Sequence, residues 1–401
     1  MNIPSAMNPP GASRAVTHAA LVRTGTVLHL ADVPTPSPPE GGLLVAPSFV
    51  GVCGTDLQIL NGSRPDTADI LGHEAAGVVV GAGQGALLES GARVVFNPSA
   101  QLTRGRILGH NVAGLFQQYF VVDAQAVDDG LVQPVEEGLP AVCGALVEPV
   151  GGVIYTHQLI ANIVPDLRSV VVFGAGPIGL IAAEYLREQG ARVLVVHTSQ
   201  RRLQTAMDIE LLDPGCAMVL AEDSSSRILQ WNEGQPLDAA VVCTSMAGAS
   251  RALEHAVAVV KDGACIEMVT NYPRSSPTPE GISAGALESI RAANICGVPA
   301  AGAYVHSEIS GRHISFTSHR GTSREHLVSA MQMLRRQAQR YTALITHILS
   351  PSEAVEAIQT LSGSRGACID GRDCIKAVID MTQLASTNDS VSRGPIPTGV
   401  N

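Results

Sequence analysis

Aromatic residues make up only 3% of this 401-residue chain, tryptophan occurs once, and lysine stands only at positions 261 and 376. The other basic residues are arginine, and a formal net charge of −10 argues against a partner with a phosphate backbone. There is no run of about 18 uninterrupted apolar residues, so no membrane span is expected. The opening MNIPSAMNPPGASRA has no basic segment leading into an apolar one; no secretory signal is read there, and a cytoplasmic protein is expected. The eight cysteines lack paired spacing, which suits a reduced compartment better than a disulfide scaffold.

What is present is 45% hydrophobic content with 40 glycines and 24 prolines, the composition of a loop-rich globular protein. The length implies two domains, because a single core rarely grows beyond about 250–300 residues. Residues 1–16 and 383–401 read as tails, poor in apolar anchors. From 17 to 165 short apolar runs alternate with Gly/Pro turns, the pattern of a β-rich unit. From 166 to 310 apolar β-runs alternate with helical spacing, as in SVVVFGAGPIGLIAAEYLREQGARVLVVHTS, which implies an α/β unit with a doubly wound parallel sheet. Residues 311–382 return to the first domain, with helices over HLVSAMQMLRRQAQ and PSEAVEAIQTL and a closing strand over CIKAVIDM.

GAGPIG, residues 174–179, follows a strand and opens a helix, the context of a dinucleotide fingerprint. Gly174 permits the tight turn, Gly176 lets a pyrophosphate approach, Gly179 allows close helix–strand packing, and Pro177 and Ile178 begin the helix. The end of the next strand usually carries an acidic residue that bonds the ribose of NAD. Here His197 stands at that place, followed by Thr198, Ser199, Arg201 and Arg202. With no carboxylate to repel a 2′-phosphate and two guanidiniums to bind one, NADP(H) is expected to be preferred over NAD(H).

Cys53 in GVCGTD, His73-Glu74 in GHE, Glu148-Pro149, the GAGPIG turn and a late GRDCIKAVID occur in an order that resembles the zinc-dependent medium-chain dehydrogenase/reductase superfamily. The likeness is to its polyol, threonine and glucose dehydrogenase branch, and covers roughly residues 17–382. It implies a GroES-like catalytic domain beside a Rossmann domain, and a homo-oligomer, dimer or tetramer. It also implies one catalytic zinc held by Cys53, His73 and Glu148, with Glu74 as an exchangeable fourth ligand. A thiolate, an imidazole and carboxylates suit that ion. Asp56 would orient His73, and Thr55 would take the proton of an alcohol substrate. Thr244 and Ser245 would line the nicotinamide side, and Arg320 would touch cofactor or substrate.

Two features depart from that pattern. Gln58 stands where relatives carry a relay histidine, and the cysteine-rich lobe for a structural zinc is replaced by NPSAQLTRGRILGHNVAGLFQQYFVV, whose His110 and Asn111 are candidates to line the pocket. The expected reaction interconverts a polar secondary alcohol (a polyol, sugar or cyclitol) and its carbonyl form, since scarce aromatics leave little to line an apolar pocket. A zinc-free enoyl or quinone reductase of the same superfamily, or a non-catalytic NADPH-binding protein, are the alternatives.

Overall fold

The computed structural model of the chain describes residues 16–135, 137–272, 274–294, 302–363 and 368–384. Nearly all of both expected tails lies outside those residues. Strands β1 (Thr17–Thr24) and β2 (Val27–Pro34) form a hairpin. Then come β3 (Leu43–Gly51), helix α1 (Gly54–Leu60), β4 (Glu74–Ala82), β5 (Arg93–Phe96), β6 (Phe120–Val122), α2 (Ala124–Asp128), β7 (Val132–Pro134) and α3 (Gly144–Ile163). The middle of the chain alternates β8 (Ser169–Phe173), α4 (Pro177–Glu188), β9 (Arg192–His197), α5 (Gln200–Asp208), β10 (Ala217–Val219), α6 (Ser224–Trp231), β11 (Leu237–Val242), α7 (Met246–Val259) and β12 (Val260–Met268). It continues with α8 (Ala284–Ala293), β13 (Tyr304–Ile309) and β14 (Arg312–Thr317), and the chain closes with α9 (Arg324–Arg336), α10 (Ala338–Thr342), β15 (Ile345–Leu349), α11 (Pro351–Gly363), β16 (Cys368–Ile369), β17 (Arg372–Asp373) and β18 (Lys376–Asp380).

These strands build two large sheets. One has the order β10-β9-β8-β11-β12-β14-β13, parallel except for β13. Its central strands SVVVF and LDAAVV are buried at every residue, as strands covered by helices on both faces must be. Its parallel strands reverse their winding between β8 and β11, the switch point where a dinucleotide binds in doubly wound sheets. The other sheet runs β15-β18-β3-β4-β5-β7 with β6 paired to β3. In β3 buried and half-buried residues alternate, the signature of a sheet with one covered face.

Two expectations need correction. Tyr304 pairs with Thr317 in the β13–β14 hairpin, so the parallel sheet extends through Thr317 and the return to the first domain falls after that residue, not at 311. The span read as a β-rich unit also contains the 20-residue helix α3, which that reading did not include. Small and apolar side chains bury it on almost every side, which erases the amphipathic stripe that announces a helix. No helix among the described residues is long and apolar enough to cross a membrane.

Candidate active site

Cys53 is the N-cap of α1, and its backbone N–H donates to Asp56 Oδ2 at 2.8 Å. The other oxygen of Asp56 accepts from the N–H of Gly72 at 3.1 Å and faces His73 Nδ1 at 3.5 Å. One fully buried carboxylate thus fixes the thiol-bearing turn, the GHE segment and the imidazole together. Gly72 holds a φ of +89°, and a Cβ there would lie 2.4 Å from the Phe116 ring, so the segment needs glycine to enter β4. The donor atoms of Cys53, His73 and Glu74 all lie within 4.8 Å of one another.

Glu148 stands outside that trio, on the first turns of α3. The start of this helix rests on β4 so closely that a Cβ on Gly144 would come within 2.1 Å of that of Ala76. Burial and the charge of Glu74 raise the Glu148 carboxyl to about 7, which places Glu148 in the same electrostatic neighbourhood. Burial alone would lower the pKa of His73, but Asp56 outweighs it and holds the free imidazole well above its ordinary value.

Glu74 has a partner that sequence reasoning missed. Lys376, the first residue of β18, ion-pairs with Glu74 Oε2 and donates to the carbonyl of Val52 at 3.1 Å. Both side chains are almost completely buried, so the carboxylate neutralises an otherwise costly ammonium. The readable signal was a lysine flanked by Cys374, Ile375, Ala377 and Val378, a place where lysine rarely sits unpaired.

This donor set fits a zinc ion. Thiol, imidazole and carboxylate are its usual ligands, and they converge here with Cys53 free of a disulfide and Glu74 the one member engaged by a cation, Lys376. Beside them Thr55 Oγ1 is buried with no hydrogen-bond partner, an orphan that a substrate hydroxyl would satisfy. Desolvation pushes the buried thiols of Cys143 and Cys374 up to about 11.

The dinucleotide turn is equally well formed. Gly174 has a φ of +120°, with Cys243 O 2.5 Å from where a Cβ would be, and a Cβ on Gly179 would fall 1.9 Å from Gly174 O. Beside Gly176, by contrast, no atom lies within 4 Å, which leaves room for a pyrophosphate in front of α4 and its first residue Pro177. Ile178, half-buried, packs against the core between the domains.

At the ribose end the arrangement differs from the one expected. Arg202 is buried, pairs with Asp373 Oδ2 at 2.9 Å and donates to Cys374 O at 2.6 Å, so it is not free for a phosphate. Arg201 is exposed and stands 3.3 Å from Asp373 Oδ1. His197 Nδ1 lies 3.4 Å from the N–H of Ala175; burial and the charge of Arg202 lower its pKa to about 4, leaving a neutral ring. Thr198 is exposed, and Ser199 caps α5 by accepting from Arg202 N at 3.3 Å.

Thr244 and the exposed Ser245 follow β11, and Thr244 O accepts from Thr270 Oγ1 at 2.5 Å. Arg320 is exposed just after β14, its N–H bonded to Asn294 O at 3.0 Å. His110 is buried with its ring centroid 4.8 Å from that of His73. Asn111 is turned to its own loop: it accepts from Ile107 N at 2.8 Å and donates to Gly105 O at 2.6 Å, so it does not line the site.

Residues 39–129 match the alcohol dehydrogenase GroES-like domain. The chain is similar to the medium-chain dehydrogenases. L-galactonate-5-dehydrogenase of Escherichia coli K12 is 28% identical over 254 residues, covering 58% of this chain and 70% of that protein. L-threonine 3-dehydrogenase of Pyrococcus abyssi is 28% identical over 268 residues, 61% of this chain and 72% of that one. The crystal structure of 2R,3R-butanediol dehydrogenase from Bacillus subtilis superposes with a TM-score of 0.69 at 20% identity, over 91% of this chain and 99% of that one. That likeness is one of fold, and it spans both the β8–β14 sheet and the sheet whose strands precede and follow it.

Proposed function

We propose that this oxidoreductase is a zinc-dependent, nicotinamide-linked dehydrogenase acting on a polar secondary alcohol and its ketone. The observation that carries the reading is the convergence of Cys53, His73 and Glu74 within 4.8 Å, in a chain that also has a complete dinucleotide turn. In this reading Cys53, His73 and Glu148 hold the metal, and Glu74, tied to Lys376, is the ligand that gives way to substrate. Bound zinc supplies Lewis-acid polarisation of the substrate oxygen, and nicotinamide supplies the hydride acceptor or donor.

The chain's own residues do the remaining work. Asp56 keeps His73 oriented from behind. Thr55 Oγ1 accepts the alcohol proton, and because Gln58 cannot carry a charge, water or the coenzyme ribose passes it on. Preference for NADP(H) rests on Arg201, the guanidinium near the ribose strand that is exposed enough to turn towards a 2′-phosphate.

Elemental analysis and a turnover panel test the reading: about one zinc per chain is expected, with hydride transfer from polyols, sugars or cyclitols. Active protein without zinc would favour the zinc-free reductase. Coenzyme binding without turnover of any alcohol or ketone would favour a non-catalytic role.

A further inference from the structure

At the ribose end of the coenzyme turn the two domains meet. His197 closes β9 with its Nδ1 3.4 Å from the N–H of Ala175, and Ser199 caps α5, whose first turn carries Arg201 and Arg202. Between His197 and Asp208 the sequence has no carboxylate, so β9 ends without the acid that usually bonds the ribose. The fold brings one from elsewhere. Asp373, in β17 of the catalytic domain, sets its carboxylate against both guanidiniums, with its side chain only 6% exposed.

Its two oxygens are engaged unequally. Oδ2 lies 2.9 Å from Arg202 Nε, a buried ionic contact that is not aligned as a hydrogen bond. Arg202 is held a second time, through Nη1, by Cys374 O at 2.6 Å. Oδ1 accepts from Arg201 Nη2 at 3.3 Å and from Cys368 Sγ at 4.0 Å, and Arg201 Nη2 also touches Cys368 Sγ. A firm charge-assisted N–H···O bond measures about 2.7–2.9 Å, so Arg201 is loosely held, and its side chain is 57% exposed. Arg202 is thus an anchor, and Arg201 can leave for a better anion. A phosphate monoester offers three acceptor oxygens and about two negative charges, against one carboxylate oxygen here. That oxygen is nevertheless a rival for the same Nη2, and its charge repels a phosphate brought to the end of β9.

We propose that Asp373 is a specificity-determining residue for the coenzyme: by occupying Arg201 and repelling a 2′-phosphate it limits affinity for NADP(H) and leaves affinity for NAD(H) untouched. The acidic selector usual at the end of the second strand is supplied here across the domain boundary. The proposal rests on the nicotinamide-linked reading, but not on which of the two coenzymes the wild type prefers.

The test titrates the full chain with NADPH and with NADH, in wild type, Asp373→Asn, Arg201→Ala and the double variant. Asp373→Asn should tighten NADPH roughly threefold to tenfold and change NADH by less than about twofold. In the Arg201→Ala background the NADPH gain should shrink to about twofold or less, the share left to repulsion alone. Asp373→Asn also strands buried Arg202. Should it fold poorly, Arg202→Gln/Asp373→Asn removes both charges of that pair and should show the same gain. The proposal falls if the NADPH-to-NADH affinity ratio stays the same or drops on loss of the Asp373 charge, or if the full gain survives without Arg201. The wild-type ratio judges the coenzyme preference separately. A wild type favouring NADH whose Asp373→Asn variant shifts towards NADPH would remove the NADP(H) preference and leave the role of Asp373 standing. Binding of neither coenzyme would overturn both.

Discussion

The coenzyme turn occupies consecutive residues 174–179, whereas the candidate metal ligands and their support come from α1, β4, α3 and β18. The first is dictated by short-range sterics: Gly174, Gly176 and Gly179 are each needed because of what lies, or must be able to lie, within a few ångströms. The second depends on long-range pairing. Gly51 of β3 pairs with Glu74 on one side and Val378 on the other, and this register brings Lys376 of β18 beside Glu74. Local geometry can be read from a six-letter motif; a constellation assembled by sheet register has to be seen.

The comparison can be broken most severely at Cys53. Cys53→Ser should abolish metal binding and lower turnover at least about a hundredfold while far-UV circular dichroism and NADPH affinity remain near wild type. If coenzyme affinity collapsed with the metal, the two regions would not be independent. Lys376→Met should come next. It strands the Glu74 carboxylate, and urea unfolding should show a loss of roughly 3–5 kcal/mol, since breaking a buried pair leaves an uncompensated charge.

Gly176→Val probes the opposite region. Its side chain would enter the open space before α4, so Kd for NAD(P)H should rise roughly tenfold or more while zinc content stays unchanged. In the metal-free protein the Glu148 carboxyl titrates near 7, above its unfolded value near 4.5. The folded state therefore holds the proton more tightly, and this contribution to stability is full below pH 4.5 and lost as pH rises through 7. Thermal unfolding of metal-free Glu148→Gln, which should lack that component of the pH dependence, checks the assignment. The smallest effects belong to the arginine pair. Arg201→Ala should reduce the NADPH-over-NADH preference by about threefold to tenfold, and Arg202→Ala should lower stability with little change in preference. Titration with both coenzymes distinguishes them.

Much of this was legible beforehand. The strand–glycine turn–helix unit and the two-domain order follow from motif spacing and from the resemblance; of the four ligands the resemblance implied, Cys53, His73 and Glu74 lie together while Glu148 stands outside their group. What stayed hidden has physical causes. Helix α3 is buried all round and has no stripe to show. The boundary at 311 failed because the antiparallel β13–β14 hairpin extends a sheet that otherwise reads as strand–helix alternation. Arg202 looked like a phosphate ligand because nothing in its neighbourhood of sequence reveals Asp373, 171 positions away. Lys376 was passed over for the same reason, since its partner Glu74 is likewise distant in sequence.

The Asp373 carboxylate has a mechanical meaning as well. It belongs to the catalytic domain, yet one oxygen holds buried Arg202 and the other faces exposed Arg201, both on α5 of the nucleotide domain. Dissolved salt screens the exposed contact and hardly touches the buried one. Raising ionic strength therefore weakens the Arg201 contact while the Arg202 pair stays seated, so this link between the two domains is only partly sensitive to salt.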